Sequence, residues 1–220
     1  MSSKSLVTIY IPCRNYGNFL AQSVESVFNQ SYTNWELVII NEASDDNTSE
    51  IARELCKREP QKTTFIDNKK PLGLQKLANL VLSQANGKYM MRLDADDWLD
   101  ENALLLLVSK LENSSDSGLV FGNYYYTNQE GNVIGVETSF EENVGESLSK
   151  IPPHGACTLF RTRALKTVGG YSEDVNAQDG WDLWYKLSNR IGATSIRTPV
   201  FYYRQHSDCL LYTSPSPRDL

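Results

Sequence analysis

The sequence predicts an α/β fold, a mainly parallel sheet flanked by helices, with a smaller antiparallel region in its second half. Three observations carry that prediction. Short apolar runs rich in β-branched residues, such as Leu6–Ile11 and Trp35–Ile40, read as buried parallel strands. Amphipathic helical stretches alternate with them through the first half of the chain. The second half then changes to neighbouring strand-like runs joined by a Gly-Asn turn.

Taken in order, Leu6-Val-Thr-Ile-Tyr-Ile11 is the first strand, closed by Pro12. Phe19, Ser23, Val24, Val27 and Phe28 fall close to helical spacing. Trp35–Ile40 is the second strand. A polar turn, Asn41 to Thr48, follows, where Asn47 with Glu50 three residues on has the pattern of a helix cap. Ile51 and Leu55 continue that helix. Thr63–Ile66 is the third strand. Leu74, Leu77, Ala78, Val81 and Ala85 mark one face of the next helix, which Asn86-Gly87 ends. Tyr89–Leu93 is the fourth strand and runs straight into Asp94-Ala-Asp-Asp97. Asp100 is placed to cap a helix through Leu104, Leu107, Val108 and Leu111. Such a series implies right-handed crossovers with helices on both faces.

Beyond it, Leu119–Phe121 and Tyr124–Tyr126 turn back at Gly131-Asn132 into Val133-Ile134, an antiparallel hairpin. Residues 138–153 are polar and read as a loop. Cys157–Phe160 reads as a strand, Gly169-Gly170 as a breaker, Trp181–Leu187 as a helix and Val200–Tyr203 as a last short strand.

With 220 residues, 40% hydrophobic and 22% charged, the chain has the make-up of a soluble globular protein with a sizeable core. Its net charge of −6 and lack of a basic stripe argue against a nucleic-acid polymer as partner. No apolar run approaches the roughly 18 residues of a membrane span, and the first residues lack the pattern of a signal peptide. Cys13, Cys56, Cys157 and Cys209 are spaced for neither a zinc cluster nor a disulfide framework, so reduced thiols in a cytoplasmic protein are expected. The segment Cys209–Asp219 resembles the translation of a transposase adapter used in preparing sequencing libraries. The expectation is one domain over residues 1–208 and a non-native tail over 209–220, with the acceptor-side half cut short.

In open parallel sheets, ligands bind beyond the carboxyl ends of the strands. Polar clusters stand at three of those ends: Pro12-Cys-Arg14-Asn15, Asn41-Glu42-Ala-Ser-Asp-Asp46 and Asp94-Ala-Asp96-Asp97. Neither G-x-G-x-x-G nor G-x-x-x-x-G-K-[ST] occurs, which disfavours a dinucleotide dehydrogenase or a P-loop enzyme. Three adjacent carboxylates repel one another unless a cation relieves them, and oxygen ligands at that density suit Mg²⁺ or Mn²⁺. The competing reading is a solvated acidic turn that caps the next helix.

The ordered series Val7–Asn15, Ser26–Tyr32, Trp35–Ile40, Ser44–Thr48, Gly73-Leu74 with Asn79, Gly87-Lys-Tyr89, Asp94–Asp97, Gly169-Gly-Tyr171, Asp179–Trp184 and Tyr203–His206 resembles the family 2 glycosyltransferases with the GT-A fold. The resemblance spans residues 6–206. It implies a GT-A, Rossmann-like sheet, with residues 1–112 as the nucleotide-sugar-binding half and 113–208 as the acceptor-binding half. It also implies an inverting transfer from a nucleotide-diphosphate sugar to an acceptor hydroxyl. Pro12, Arg14 and Asn15 would line the nucleoside pocket. Glu42 would contact the base where the family often has Asp, with Asn41 replacing the preceding Asp. Asp94 would face the ribose or donor. Asp96 would be the main metal ligand, with Asp97 beside it, and His206 would approach the metal or diphosphate. Arg204 would face phosphate.

The family's arginine after the Gly-Leu pair is missing at Leu77-Ala78-Asn79, and Lys76 is either its substitute or a solvated helix residue. A positioned carboxylate must take the acceptor's proton. The resemblance implies Asp179 as that base, aligned with either the first or the second acid of the family's acidic pair, with Asp182 as fallback or as a residue that caps the first turn or compensates the helix dipole. His154 has an acceptor-side or a structural reading, and Trp181 and Trp184 are either an acceptor platform or core. The resemblance further implies cell-envelope or exopolysaccharide synthesis with a glycan or lipid-linked acceptor. It implies a cytoplasmic location, with the inner membrane face left open. The alternatives are a sugar nucleotidyltransferase, which the missing glycine-rich basic loop argues against, and a catalytically silent protein that binds sugar nucleotides or glycans.

Overall fold

The computed structural model describes residues 5–138, 155–174, 179–188 and 190–206, with only the backbone course given for 179–182 and 188. Strand β1 (Val7–Cys13) lies parallel between β2 (Trp35–Glu42) and β4 (Tyr89–Arg92), and β3 (Thr63–Asn68) lies parallel outside β2. The sheet continues past β4. β8 (Leu159–Arg161) runs antiparallel to both β4 and β6 (Leu119–Thr127). β9 (Ala193–Arg204) pairs parallel with β6, and the two-residue β5 (Trp98–Leu99) lies antiparallel against β9. β7 (Val133–Glu137) completes the expected hairpin with β6.

Strand periodicity sorts the side chains onto two faces. Val7, Ile9, Ile11 and Cys13 of β1 point into one core with Leu37 and Ile39. That core is closed by α1 (Gly17–Phe28), α2 (Thr48–Cys56) and α4 (Ala103–Glu112). Tyr10 and Ile40 point the other way, under α3 (Leu74–Gln84), α5 (Thr162–Thr167) and α6 (Asp179–Ser188). Each such aliphatic side chain contributes about 1.5–3 kcal/mol on full burial, so the parallel strands need both helical layers.

Several local expectations change. The Asn47 side chain makes no capping bond; instead Asp46 Oδ1 accepts the Thr48 N–H at 3.0 Å. Asp100 accepts the Asn102 N–H at 3.0 Å, while Gln30, just past the end of α1, accepts the Leu104 N–H at 3.0 Å, so the start of α4 is capped partly across the core. β9 begins seven residues before the predicted strand, because pairing with β6 rather than an apolar run organises Ala193–Pro199. Its register shifts opposite Gly122 and Asn123, where Pro199 has no N–H to donate. Trp184 is core, 3% exposed and edge-on to Phe121, which removes it from any acceptor platform. Trp181 lies outside the described side chains, and His154 and the loop over 139–154 lie outside the described residues.

Candidate active site

Because β1, β2 and β4 are adjacent and parallel, the three polar clusters meet at one edge of the sheet. The first two turns are laced together. Asn15, held at φ 58°, accepts the Asp45 N–H at 2.8 Å through its side chain, and its own N–H donates to Ser44 Oγ at 3.0 Å. Gly17 N–H donates to Asp46 Oδ2 at 3.0 Å. Burial opposes ionisation of Asp46, yet the Thr48 hydroxyl and the Gly17 and Thr48 amides outweigh it and hold the carboxyl below its usual range. Pro12 is half-buried on β1, and Arg14 and Lys76 are exposed.

The Asp94–Asp97 turn is not a three-carboxylate cluster. Asp94, half-buried, pairs with Arg92 at 2.9 Å. Asp97, 1% exposed, accepts the backbone N–H of Arg204 at 2.9 Å on Oδ1, while its Oδ2 has no hydrogen-bond partner. Asp96 Oδ2 lies 3.0 Å from His206 Nε2. Among the described residues no three His, Cys, Asp or Glu side chains converge at metal-ligating geometry. Asp97 is therefore not brought into one ligand set with Asp96 and His206, against expectation. Asp94 is paired with Arg92, Asp96 with His206 and Asp97 with the Arg204 backbone N–H. Burial first, then Asp94, pushes the Asp96 carboxyl up against the opposing pull of His206. Burial, then Asp96 and Asp94, pushes Asp97 well up.

His206, 8% exposed, is an internal residue. Tyr16 meets its ring edge-on with centroids 5.5 Å apart, and Phe19 lies 5.3 Å away. Asp96 and His206 together offer one oxygen and one nitrogen donor in a nearly dry setting. That pair fits a Mn²⁺- or Mg²⁺-type cation whose other ligands come from a diphosphate and water.

Two residues are placed differently from the expectation. Arg204 does not project toward a phosphate: it is 2% exposed and sandwiched between Phe19 and Trp98, 4.6 and 4.7 Å from the ring centroids. Its Nε donates to the Asp96 carbonyl at 2.9 Å, and its two Nη atoms donate to the Gln129 carbonyl and Gln22 Oε1. Arg204 is thus the brace of the acidic turn. Glu42, 7% exposed, spends Oε2 on the N–H groups of Leu72 (2.8 Å) and Gly73 (3.0 Å) and Oε1 on Asn68 Nδ2 (2.7 Å). It holds the loop that starts α3 rather than leaving its oxygens for a base. Asn41 is likewise engaged with Ser49, Asp67 and the Ser44 N–H.

Sequence reasoning missed Phe19, Gln22, Arg92 and Trp98. Arg92 and Trp98 flank the acidic turn directly, so their position is a usable signal; Phe19 and Gln22 carry none. Asp179 opens α6, and its side chain, like that of Asp182, lies outside the described set.

A groove of about 560 Å³ lined by Gly87, Lys88, Thr162, Arg163 and Lys166 lies at the opposite end of β4 from the acidic turn.

A family model described as Glycosyl transferase family 2 matches residues 8–169. Chondroitin synthase of Pasteurella multocida is 29% identical over 199 residues, covering 90% of this chain and 20% of that protein. Poly-beta-1,6-N-acetyl-D-glucosamine synthase of Staphylococcus epidermidis is 28% identical over 184 residues, covering 79% of this chain and 43% of that one. The chain thus spans about a fifth to two fifths of the length of these relatives. Among solved structures, S. aureus TarS 1-349 in complex with UDP-GlcNAc superposes with a TM-score of 0.77 at 16% identity, over 96% of this chain and 61% of that one. Mannosyltransferase PcManGT of Pyrobaculum calidifontis in complex with GDP-Man and Mn²⁺ gives 0.74 at 20% identity, over 94% and 59%.

Proposed function

The chain belongs to glycosyl transferase family 2 and has the GT-A fold, and from that premise we propose that it transfers a sugar, with inversion, from a nucleoside-diphosphate donor to an acceptor hydroxyl. The single observation that carries this reading is the buried Asp96–His206 pair, 3.0 Å apart at the carboxyl end of the parallel strands. Asp96 and His206 would hold a divalent cation there, which when bound would supply positive charge to the departing diphosphate. Arg204 keeps the Asp96 carbonyl and Asp97 in place, so the carboxylate side of the site costs no reorganisation when charge develops. The turn around Pro12, Arg14 and Asn15 forms the nucleoside side, and Asp94 faces the donor.

Asp179, at the start of α6, takes the acceptor's proton as its oxygen attacks the anomeric carbon. The bond to the diphosphate then breaks, and the diphosphate leaves with the electron pair. The names of the relatives, chondroitin and poly-N-acetylglucosamine synthases, support a role in polysaccharide synthesis with a glycan or lipid-linked acceptor. Residues 1–112 would bind the donor and 113–208 the acceptor, on the cytoplasmic side where nucleotide sugars are the substrate. Among the described residues no helix is long and apolar enough to cross a membrane.

The test is a thermal-shift screen of UDP- and GDP-sugars with and without Mn²⁺, followed by donor hydrolysis and transfer assays. Stabilisation by one donor that depends on Mn²⁺, together with turnover, is expected. Metal-independent binding without turnover in the full-length gene product would establish a silent binding protein instead.

A further inference from the structure

Within the helical layer that covers Tyr10 and Ile40, α3 is joined to the segment before α6 through the side-chain amide of Asn79. Its Oδ1 accepts the Tyr171 N–H at 2.9 Å, and its Nδ2 donates to the Tyr171 carbonyl at 2.9 Å and to Glu173 Oε1 at 2.9 Å. Both amide hydrogens and the oxygen are therefore engaged with one short segment more than ninety residues away in sequence. The segment is shaped for that contact. Gly169 and Gly170 hold φ of 83° and 73°, and a Cβ on Gly170 would lie 2.5 Å from Asn79 Oδ1. Only glycine combines that backbone with that approach.

The same segment is tied to α6 from its other side. Lys186 of α6 donates to Ser172 Oγ at 2.6 Å and to the Gly170 carbonyl at 3.3 Å. Leu183 and Trp184 of α6 share a core with Tyr171 and with Leu82 of α3. Helix α6 thus takes its position from α3 through a chain of Asn79, the Gly170–Glu173 segment and Lys186. Helix α3 in turn starts at Gly73, which Glu42 holds at the end of β2.

We infer that Asn79 is a positioning residue that sets α6, and so the acceptor side of the reaction, against the donor-binding strands. The inference rests on the glycosyl-transfer reading for its catalytic meaning, but its structural content is independent. A single amide that satisfies both polar groups of one residue's backbone fixes distance and orientation together, which a hydrophobic contact does not. A shift of about 1 Å in a reacting group costs about 100-fold in rate, so a loosened α6 lowers kcat and leaves donor affinity unchanged.

The experiment compares wild type with Asn79→Ala, Asn79→Asp and the double variant that combines Asn79→Asp with Glu173→Gln. Three readouts are taken: amide hydrogen exchange, UDP and GDP affinity with Mn²⁺, and hydrolysis of UDP-N-acetylglucosamine and GDP-mannose. Asn79→Asp sets a carboxylate against the Tyr171 carbonyl and Glu173, so α6 and residues 170–173 exchange faster while β1, β2 and β4 do not. Nucleotide affinity stays within about twofold and hydrolysis falls about 10–100-fold in kcat at constant KM. Adding Glu173→Gln to Asn79→Asp offers a donor to the new carboxylate and recovers part of both losses. Unchanged exchange in α6 would overturn the inference, and so would a nucleotide affinity that falls in step with kcat or no recovery in the double variant. A wild type that binds neither nucleotide with Mn²⁺ overturns the glycosyl-transfer reading, while the exchange data still decide whether Asn79 positions α6.

Discussion

His206 Nε2 stands 3.0 Å from Asp96 Oδ2, although 110 residues separate them in the chain. The contact exists because β9 returns beside β6 and delivers its end to the turn after β4, where Tyr16 and Phe19 enclose the imidazole. Exposed polar pairs contribute little, but this contact is buried, so it costs desolvation unless the hydrogen bond or a bound cation repays it.

Removing either partner therefore has a distinct outcome. Asp96→Asn and His206→Ala are each expected to abolish the Mn²⁺-dependent thermal shift and to lower transfer by about 10²–10³-fold. Calorimetric titration with Mn²⁺ and UDP checks the first effect and steady-state kinetics the second. Retention of Mn²⁺-dependent binding in both variants would place the cation elsewhere.

The pair also fixes a pH dependence. Burial raises the Asp96 and Asp97 carboxyls above their ordinary value of 3.8. A carboxyl raised in the folded state favours folding most when protonated. This contribution is full below about pH 4 and is lost as pH rises through the raised value. A cation held by Asp96 competes with the proton on that carboxyl, so Mn²⁺ affinity rises with pH over the same range. The expected result is a larger Mn²⁺-induced rise in melting temperature at pH 7.5 than at pH 5. In metal-free protein Asp97→Asn should flatten the loss of stability on going from acid to neutral pH, as urea unfolding at several pH values would show.

Arg204 gives the sharpest stability prediction. Its guanidinium fills the gap between Phe19 and Trp98 and braces the Asp96 carbonyl. Lysine keeps the charge but loses the planar fork and the two-sided stacking. Arg204→Lys is expected to cost about 2–4 kcal/mol and to weaken Mn²⁺ binding through the displaced turn. A phosphate-binding role predicts the opposite balance: near-native stability with weakened nucleotide affinity.

Much of this is legible in the sequence, for reasons that explain the remainder. The strands of the first half announce themselves through β-branched runs, and the sheet rule then places Asn15, Glu42 and Asp94–Asp97 at one edge. Residue type alone does not say which way a side chain turns. Charged residues near a site usually face the ligand, and that expectation fails for Arg204 and Glu42. Both are instead buried and satisfied by backbone groups, of the Asp96 carbonyl and of the Leu72 and Gly73 amides, that no local pattern reveals. The start of β9 is hidden for a related reason: Ala193–Pro199 is stabilised by its neighbour's hydrogen bonds and has no apolar alternation of its own.

Glu42 offers the test that separates structural from recognition roles most cleanly. Its carboxylate satisfies three N–H donors at the entrance to α3. Glu42→Ala leaves them without a partner and is expected to destabilise the chain by about 1–3 kcal/mol. Glu42→Gln keeps one acceptor oxygen and should cost roughly half as much. If the loop is what Glu42 serves, both variants lower UDP and GDP affinity by the same factor as α3 loosens. If it reads the base, Glu42→Gln changes the ratio of the two affinities, because a carboxylate only accepts hydrogen bonds whereas an amide also donates them. Paired titrations with UDP and GDP, normalised to the wild-type ratio, decide between the two, and the satisfied geometry predicts a ratio that does not move.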